Sequence, residues 1–390
     1  MKNKKPHFIP GRHVILVSGE TKTFQDFSAS AHPVDIAELM NTLPVEEVPA
    51  VFQQLEPSLR PVIFSHLDSD FQREIVGSLR REELARLLAD MSPDDRVDLF
   101  KQLPDNLRES VLPALAQAER EDIRRLSAYR EGTVGAVMTS DYAALSPQLT
   151  AFQAIEHLRK IAPDKETIYY TYVVDENRKL IGFVSLKDLI LANREARVGE
   201  IMHREVIFAR VEDDQEEAAR KIQKYDLIAL PVLNGGDALV GILTHDDAID
   251  IITQEHTEDL EKLMAITGDH ETGVYLKTSS WVHFRNRAGW IVGLAALGLV
   301  SGIIIHSYEA TLMKMMILAL YMPMVADTGG NTGSQSATVV VRALALGEVS
   351  PGDLFKVLFK ELKIAILLAL VLGLLSWGKV LFLSHGTVIP

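Results

Sequence analysis

The sequence predicts a multidomain chain in four parts: an all-α superhelical amino-terminal domain, a duplicated α/β module, a connecting helix and an α-helical membrane domain. Three observations carry this. An apolar residue recurs every twelve positions before residue 130, a longer unit occurs twice between residues 131 and 252, and three apolar stretches follow residue 280. The implied boundaries are 1–130, 131–252, 253–280 and 281–390.

The first part rests on Leu43, Leu55, Leu67, Leu79, Met91, Leu103 and Leu115, which keep a constant spacing of twelve in frames such as VFQQLEP, LLADMSP and LFKQLPD. Each frame holds about two turns of helix pattern closed by Asp, Ser or Pro chemistry that ends one helix and starts the next. Short helices so punctuated cannot bury an apolar face alone and stack into a small solenoid, the alternative being an ordinary helical bundle with coincidental spacing.

In the second part, VGAVM at Val134 to Met138 returns as VGEIM at Val198 to Met202, and YVVDENRKLIGFVSLKDLI is echoed by LPVLNGGDALVGILTHDDAI. Each copy reads β-β-α, with a glycine at Gly182 or Gly241, a hydroxyl at Ser185 or Thr244, and a carboxylate at Asp188 or Asp247. The pair resembles tandem CBS domains, modules that bind adenine nucleotides or act as ligand-controlled joints. That resemblance makes Tyr170 a base contact and Asp188 a ribose contact for a bound nucleotide, ATP among the candidates; the alternative for Asp188 is a helix cap.

Charge is uneven. The chain carries -13 overall, and the excess acid lies before the membrane part: 32 Lys and Arg face 48 Asp and Glu up to Ser280, against 8 and 5 beyond it. An acidic soluble part lacks the basic stripe that a phosphate backbone requires, so nucleic acid is excluded as a partner. The chain has no cysteine, which rules out disulfides, thiolate metal sites and cysteine nucleophiles. The segment DDAIDIITQEHTED at Asp246 to Asp259 holds six carboxylates without a Lys or Arg. On a helix, Asp247, Asp250, Glu255 and Glu258 share an arc of about 140° and repel one another unless a counterion intervenes.

The amino terminus shows no signal-peptide pattern. Ala288 to Ile305 is uncharged and near the lower length for a membrane span. A second stretch runs from about Thr311 to Leu346, and a third from about Val357 to Leu383. Arg285 and Arg287 precede the first, Arg342, Lys356, Lys360 and Lys363 surround the link between the second and third, and the link at His306 to Ala310 has neither Lys nor Arg. The soluble part is therefore expected in the cytosol, beneath a multi-pass lipid-embedded domain of the cytoplasmic (inner) membrane. The second stretch is interrupted by DTGGNTGSQSA. Polar groups at that depth must face water or protein. They form either a packing seam of small residues or a cation path in which Asn331, Gln335 and freed carbonyls offer oxygen ligands.

A twelve-residue helical repeat, a CBS pair, an acidic helix and a membrane segment reading MPMVADTGGNTGSQSATVVVRAL together resemble the MgtE family of magnesium channels. The family implies a homodimer that conducts Mg2+ along the dimer axis and closes when its cytosolic domains sense abundant Mg2+. Carried over one by one, the implied metal positions are Asp90, Asp94, Asp95, Asp214, Glu216, Asp226, Asp247, Asp250, Glu255, Glu258 and Asp259. Pore-lining candidates are Asp327, Gly329, Gly330, Asn331 and Gln335, with Asp327 otherwise at the cytosolic mouth or paired with Arg342. A surface charge or a helix amino-terminal carboxylate is the plainer fate of any single acid.

Family members have five spans, whereas three apolar stretches are visible here. Two functions from different classes follow: a Mg2+-gated channel or transporter subunit, and a membrane-anchored, non-conducting sensor of Mg2+ or adenine nucleotide. An enzyme is not expected. His203, His245, His256, His270 and His283 lack metal-site spacing, and neither GxSxG nor HExxH occurs.

Overall fold

The computed structural model describes residues 7–9, 14–17, 20–267, 278–314, 316–345 and 348–386. They divide into two compact units, Met1–Glu255 and His256–Pro390.

The first unit opens on a three-stranded antiparallel sheet, β1 (His7–Ile9), β2 (Val14–Val17) and β3 (Glu20–Thr23), which the helical reading of residues 1–130 did not contain. The superhelix follows. Its short helices run from Pro33–Met40 to Gln117–Leu126, and most pack on the next but one, as Pro33–Met40 does on Arg60–Ser65 and Pro93–Gln102 on Gln117–Leu126. The twelve-residue rhythm marks the residues just past helix ends: Leu55, Met91, Leu103 and Leu115 are buried there. A second repeat accompanies it. Arg60, Arg96, Arg108 and Arg120, each five residues later, donate to carbonyls left open by the preceding helix, with Arg96 Nε to Leu88 O at 2.7 Å and Arg108 Nε to Leu103 O at 2.7 Å. Guanidinium groups thus satisfy the orphan carbonyls that every helix terminus leaves.

Each copy of the duplicated module is a three-stranded sheet. The first contains β4 (Tyr142–Leu145), β5 (Thr167–Val174) and β6 (Leu180–Ser185); the second contains β7 (Ala209–Arg210), β8 (Ala229–Leu233) and β9 (Leu239–Thr244). In both, the outer pair is parallel and the hairpin antiparallel. The copies interlock: Thr139, ahead of the first copy, bridges to Ile242 in the second, and His203, ahead of the second, bridges to Phe183 in the first. Gly182 and Gly241 make this possible. A Cβ at Gly241 would lie 2.7 Å from both Met138 Sδ and Thr139 O, and one at Gly182 would lie 2.7 Å from His203 O. The superhelix shares one hydrophobic core with the second copy, through Val134, Met138, Ile222 and Leu243, whereas the first copy has a core of its own around Leu158, Val184 and Leu189.

In the acidic segment one helix runs His245–Leu263, ending well short of the 253–280 expected for the connecting helix; residues 268–277 lie outside the described residues. The second unit holds long helices at Ser280–Ser307, Met316–Ala345 and Leu354–Gly386. Three spans were expected. Among the described residues one helix, Ser280–Ser307, is long and apolar enough to cross a membrane. The expected interruption is also absent as a break: the helix Met316–Ala345 continues through GGNTGSQSA, with Pro323 inside it. Its carbonyls are therefore committed to the helix, and only side chains remain as oxygen donors there.

Candidate functional site

Two helices present their amino-terminal turns to a common region. In the superhelix, Pro93 fixes the first turn of Pro93–Gln102, where Asp94 and Asp95 sit; Asp246 and Asp247 occupy the first turn of His245–Leu263. Carboxylates are favoured at that end by the helix dipole. Together they form a crowded acidic wall. Glu166, at the entrance to β5, completes it, and its amide donates to Asp141 O at 2.9 Å.

The wall shifts its own ionisation. Loss of hydration, followed by the charge of Asp94, raises Asp247 to about 7 and Glu166 to about 7. Asp95 is raised to about 6 by burial and then by Asp94, and Asp98 to about 6 by burial, with Lys101 opposing. Burial also raises Asp94, whose Oδ1 is buried without a hydrogen-bond partner. Unpaired buried carboxylate oxygen is costly and calls for a proton or a cation. Among the described residues no three His, Asp or Glu side chains converge tightly enough to hold a bare ion. The donor set instead suits a cation that keeps part of its water shell, as Mg2+ does more readily than other hard ions.

Of the acids expected at a metal, Asp94, Asp95 and Asp247 are brought together here. The others are not in the wall. Asp90 is exposed at the end of its helix. Asp214 caps the helix Gln215–Tyr225 by accepting from the amides of Glu216 and Glu217, and Asp226 closes it in a left-handed conformation at φ 52°. Glu216 pairs with Arg220 at 2.5 Å and Glu258 with Lys262 at 2.5 Å, while Glu255 accepts from Gln215 Nε2 at 3.1 Å. Asp250 is exposed and Asp259 half-buried. Glu166 and Asp246 were missed. Asp246 was visible as one of the six carboxylates, but Glu166 stands alone in a loop and carries no pattern.

Between the two module copies lies a cleft of about 120 Å³ lined by Tyr170, Tyr172, Phe183, Ile207, Ala229 and Pro231. Tyr170 meets Phe183 edge-on at 5.6 Å, and His203 stacks on Phe183 at 5.0 Å. His203 Nε2 lies 3.2 Å from Asp188 Oδ2. Asp188 also accepts from Ser185 Oγ at 2.6 Å and forms a capping box with it, so the cap alternative describes its local role. These contacts, led by the Ser185 hydrogen bond, hold Asp188 below the usual carboxylate range. An aromatic strip ending in a fixed anion suits a flat base with a hydroxylated sugar.

In the second unit, Asp327, Asn331 and Gln335 follow one another at four-residue intervals and share a helix face, with Gly330 beside them and Gly329 off that face. All five are exposed. Ser336 Oγ donates to Glu361 Oε2 at 2.6 Å, joining this helix to Leu354–Gly386.

Family models match along the chain: an MgtE intracellular N domain at 31–132, CBS domains at 134–195 and 198–254, and a divalent cation transporter domain at 322–389. The magnesium transporter MgtE of Thermus thermophilus is 35% identical over 378 residues, covering 96% of this chain and 84% of that protein. The chain belongs to the MgtE family. The Bacillus subtilis MgtE magnesium transporter is 31% identical over 93% of this chain and 79% of its own length. The solved cytosolic domain of the Mg2+ channel MgtE in complex with ATP aligns at a TM-score of 0.55 and 35% identity, covering 58% of this chain and 93% of that one. The soluble part of a magnesium transporter aligns at 0.56 and 32% identity, over 60% and 91%. MgtE membership makes this chain a magnesium transporter by family, built from an N domain, a CBS pair and a membrane-embedded region.

Proposed function

We propose that this chain is a subunit of a homodimeric, inner-membrane Mg2+ channel that is shut by the ion it conducts. The observation that carries the reading is the acidic wall between the superhelix and the second CBS copy, where Asp94 keeps an unpartnered buried oxygen. Bare, these carboxylates repel and the superhelix is driven from the CBS pair; a hydrated Mg2+ neutralises them and favours the docked arrangement. Cytosolic Mg2+ thereby sets the population of two arrangements, and the helix His245–Leu263, whose first turn carries Asp246 and Asp247, passes the change toward the membrane. The four-part division at 130, 252 and 280 describes this chain of command.

Adenine nucleotide binds at Tyr170 and Asp188, a reading supported by the aromatic strip and by the ATP complex of the similar cytosolic domain. The face of Asp327, Asn331 and Gln335 lines the ion path across the dimer axis, where exposed polar side chains at membrane depth find water.

The test is Mg2+ flux in proteoliposomes with Mg2+ clamped on the cytosolic face. Wild-type flux falls as that Mg2+ rises; in the Asp94→Asn, Asp95→Asn, Glu166→Gln, Asp247→Asn chain, whose amides neither repel one another nor hold the ion, flux no longer depends on it. Normal closure in that chain contradicts the reading. One observation favours a second reading: a single helix among the described residues has span character. A chain that binds Mg2+ but passes none is a membrane-anchored sensor.

A further inference from the structure

A second cleft lies on the opposite charge balance from the acidic wall. It has a volume of about 280 Å³ and is lined by Arg125 from the superhelix, Ser140, Tyr142, Lys165 and Arg178, with no residue in common with the Tyr170 cleft. Three cations around one cavity are unexpected in a chain of net charge -13, whose overall field repels anions.

Local carboxylates offset Arg125 and Lys165 in part and leave Arg178 without one among the described residues. Arg125 Nη2 reaches Asp122 Oδ1 at 2.7 Å, but that carboxylate also accepts from Ser140 Oγ at 3.1 Å, and Arg125 Nε is buried without a partner. Lys165 Nζ is 3.4 Å from Asp141 Oδ1. Arg178 Nη2 donates to Tyr142 Oη at 2.6 Å, and among the described residues Arg178 has no carboxylate partner.

Internal duplication sharpens the point. Arg178 sits four residues before Gly182 in the first hairpin turn, and Asp237 sits four before Gly241 in the second. Both adopt the left-handed backbone at φ 61°. At the second turn the charge is neutralised, Asp237 accepting from Arg210 Nη2 at 2.8 Å. At the first the sign is reversed, and no carboxylate among the described residues neutralises it.

We propose that this cleft is an anion site that takes a compact phosphate, either the free ion or the phosphate of a monoester, held by Arg125, Lys165 and Arg178. Guanidinium groups present paired donors matched to phosphate oxygens, and a lysine adds a point charge. The cavity is at the small end of ligand sites, which excludes extended polyphosphates. Because Arg125 belongs to the superhelix and the other two to the first CBS copy, the bound anion ties those parts together.

The experiment is equilibrium dialysis of the full chain in detergent against labelled inorganic phosphate, with AMP as competitor. The expected result is saturable binding of one phosphate per chain, weakened about tenfold or more by Arg178→Asp and by Lys165→Gln. Arg178→Asp installs the residue that the second copy already carries in the same backbone conformation, and a thermal melt checks each fold. Asp188→Asn, at the other cleft, leaves phosphate binding unchanged. In that chain, competition by AMP assigns the site to monoesters and lack of competition assigns it to the free ion. Binding that fails to saturate by roughly 10 mM, or that is undiminished in both Arg178→Asp and Lys165→Gln, overturns the proposal.

Discussion

The two CBS copies place an Asp at the same point and give it different surroundings. In the first, Asp188 accepts from Ser185 Oγ at 2.6 Å; in the second, Asp247 accepts from Thr244 Oγ1 at 2.5 Å. The scaffold and the hydroxyl are shared, so they cannot explain why Asp188 is held below its ordinary range while Asp247 is raised to about 7. The difference is what stands opposite. His203 faces Asp188 at 3.2 Å, whereas the position equivalent to His203 in the other copy is Thr139, and Asp247 is raised first by burial and then by the charge of Asp94, with Asp246 and Asp95 adding to it. One fold thus yields a fixed anion suited to a sugar and an ionisable one suited to a proton or a metal, and the selector is a neighbouring domain.

The largest expected effect removes that neighbour's charge. Asp94→Asn with Asp247→Asn lowers Mg2+ affinity about a hundredfold, roughly 3 kcal/mol, by calorimetry on the full chain. The same variant gains protease resistance in chelator, since neutral amides no longer repel. Next is pH. A carboxyl whose pKa is raised on folding keeps its proton longer in the folded chain, so without metal the docked arrangement is fully stable below the ordinary carboxylate range near 4 and weakens as pH rises. The loss runs through about 6 for Asp95 and Asp98 and about 7 for Glu166 and Asp247. Mg2+ competes with those protons, and its affinity accordingly increases about tenfold from pH 6 to 7.5, which thermal melts in chelator and in Mg2+ will resolve.

Asp188→Asn tests the other cleft. It weakens ATP binding about tenfold and leaves Mg2+ binding in the acidic wall unchanged, as separate titrations will show. The smallest effect is expected for Thr244→Val. Losing the one hydrogen bond that lowers Asp247 makes its proton harder to remove and weakens Mg2+ binding about threefold at neutral pH.

Much of the fold was legible because it repeats. Leu55, Met91, Leu103 and Leu115 mark their helix ends in sequence as they do in space, and the paired glycines announce the duplication. The arginine ladder follows only four of the seven markers, and a charged residue five places after an apolar one looks like surface until its carbonyl is seen. The acidic wall was half legible. Asp94, Asp95 and Asp247 follow from helix starts, while Glu166 arrives through a loop whose position only tertiary packing fixes. Glu216 and Glu258 show the converse: Arg220 and Lys262, each four residues on, form local pairs that take them away from the wall. The polar run GGNTGSQSA reads in sequence as a break, because small and amide side chains favour an open backbone, whereas the helix hydrogen bonds run through them.

The claim on which the rest depends is that divalent cation holds the superhelix against the second CBS copy. Because the chain has no cysteine, spin labels can be placed at Arg86→Cys and Gln223→Cys alone, both exposed, and their separation measured by electron double resonance in the full chain. A narrow distance distribution in Mg2+ that lengthens and broadens in chelator, with K+ unable to restore it, is the predicted result. Superimposable distributions with and without Mg2+ would contradict the account.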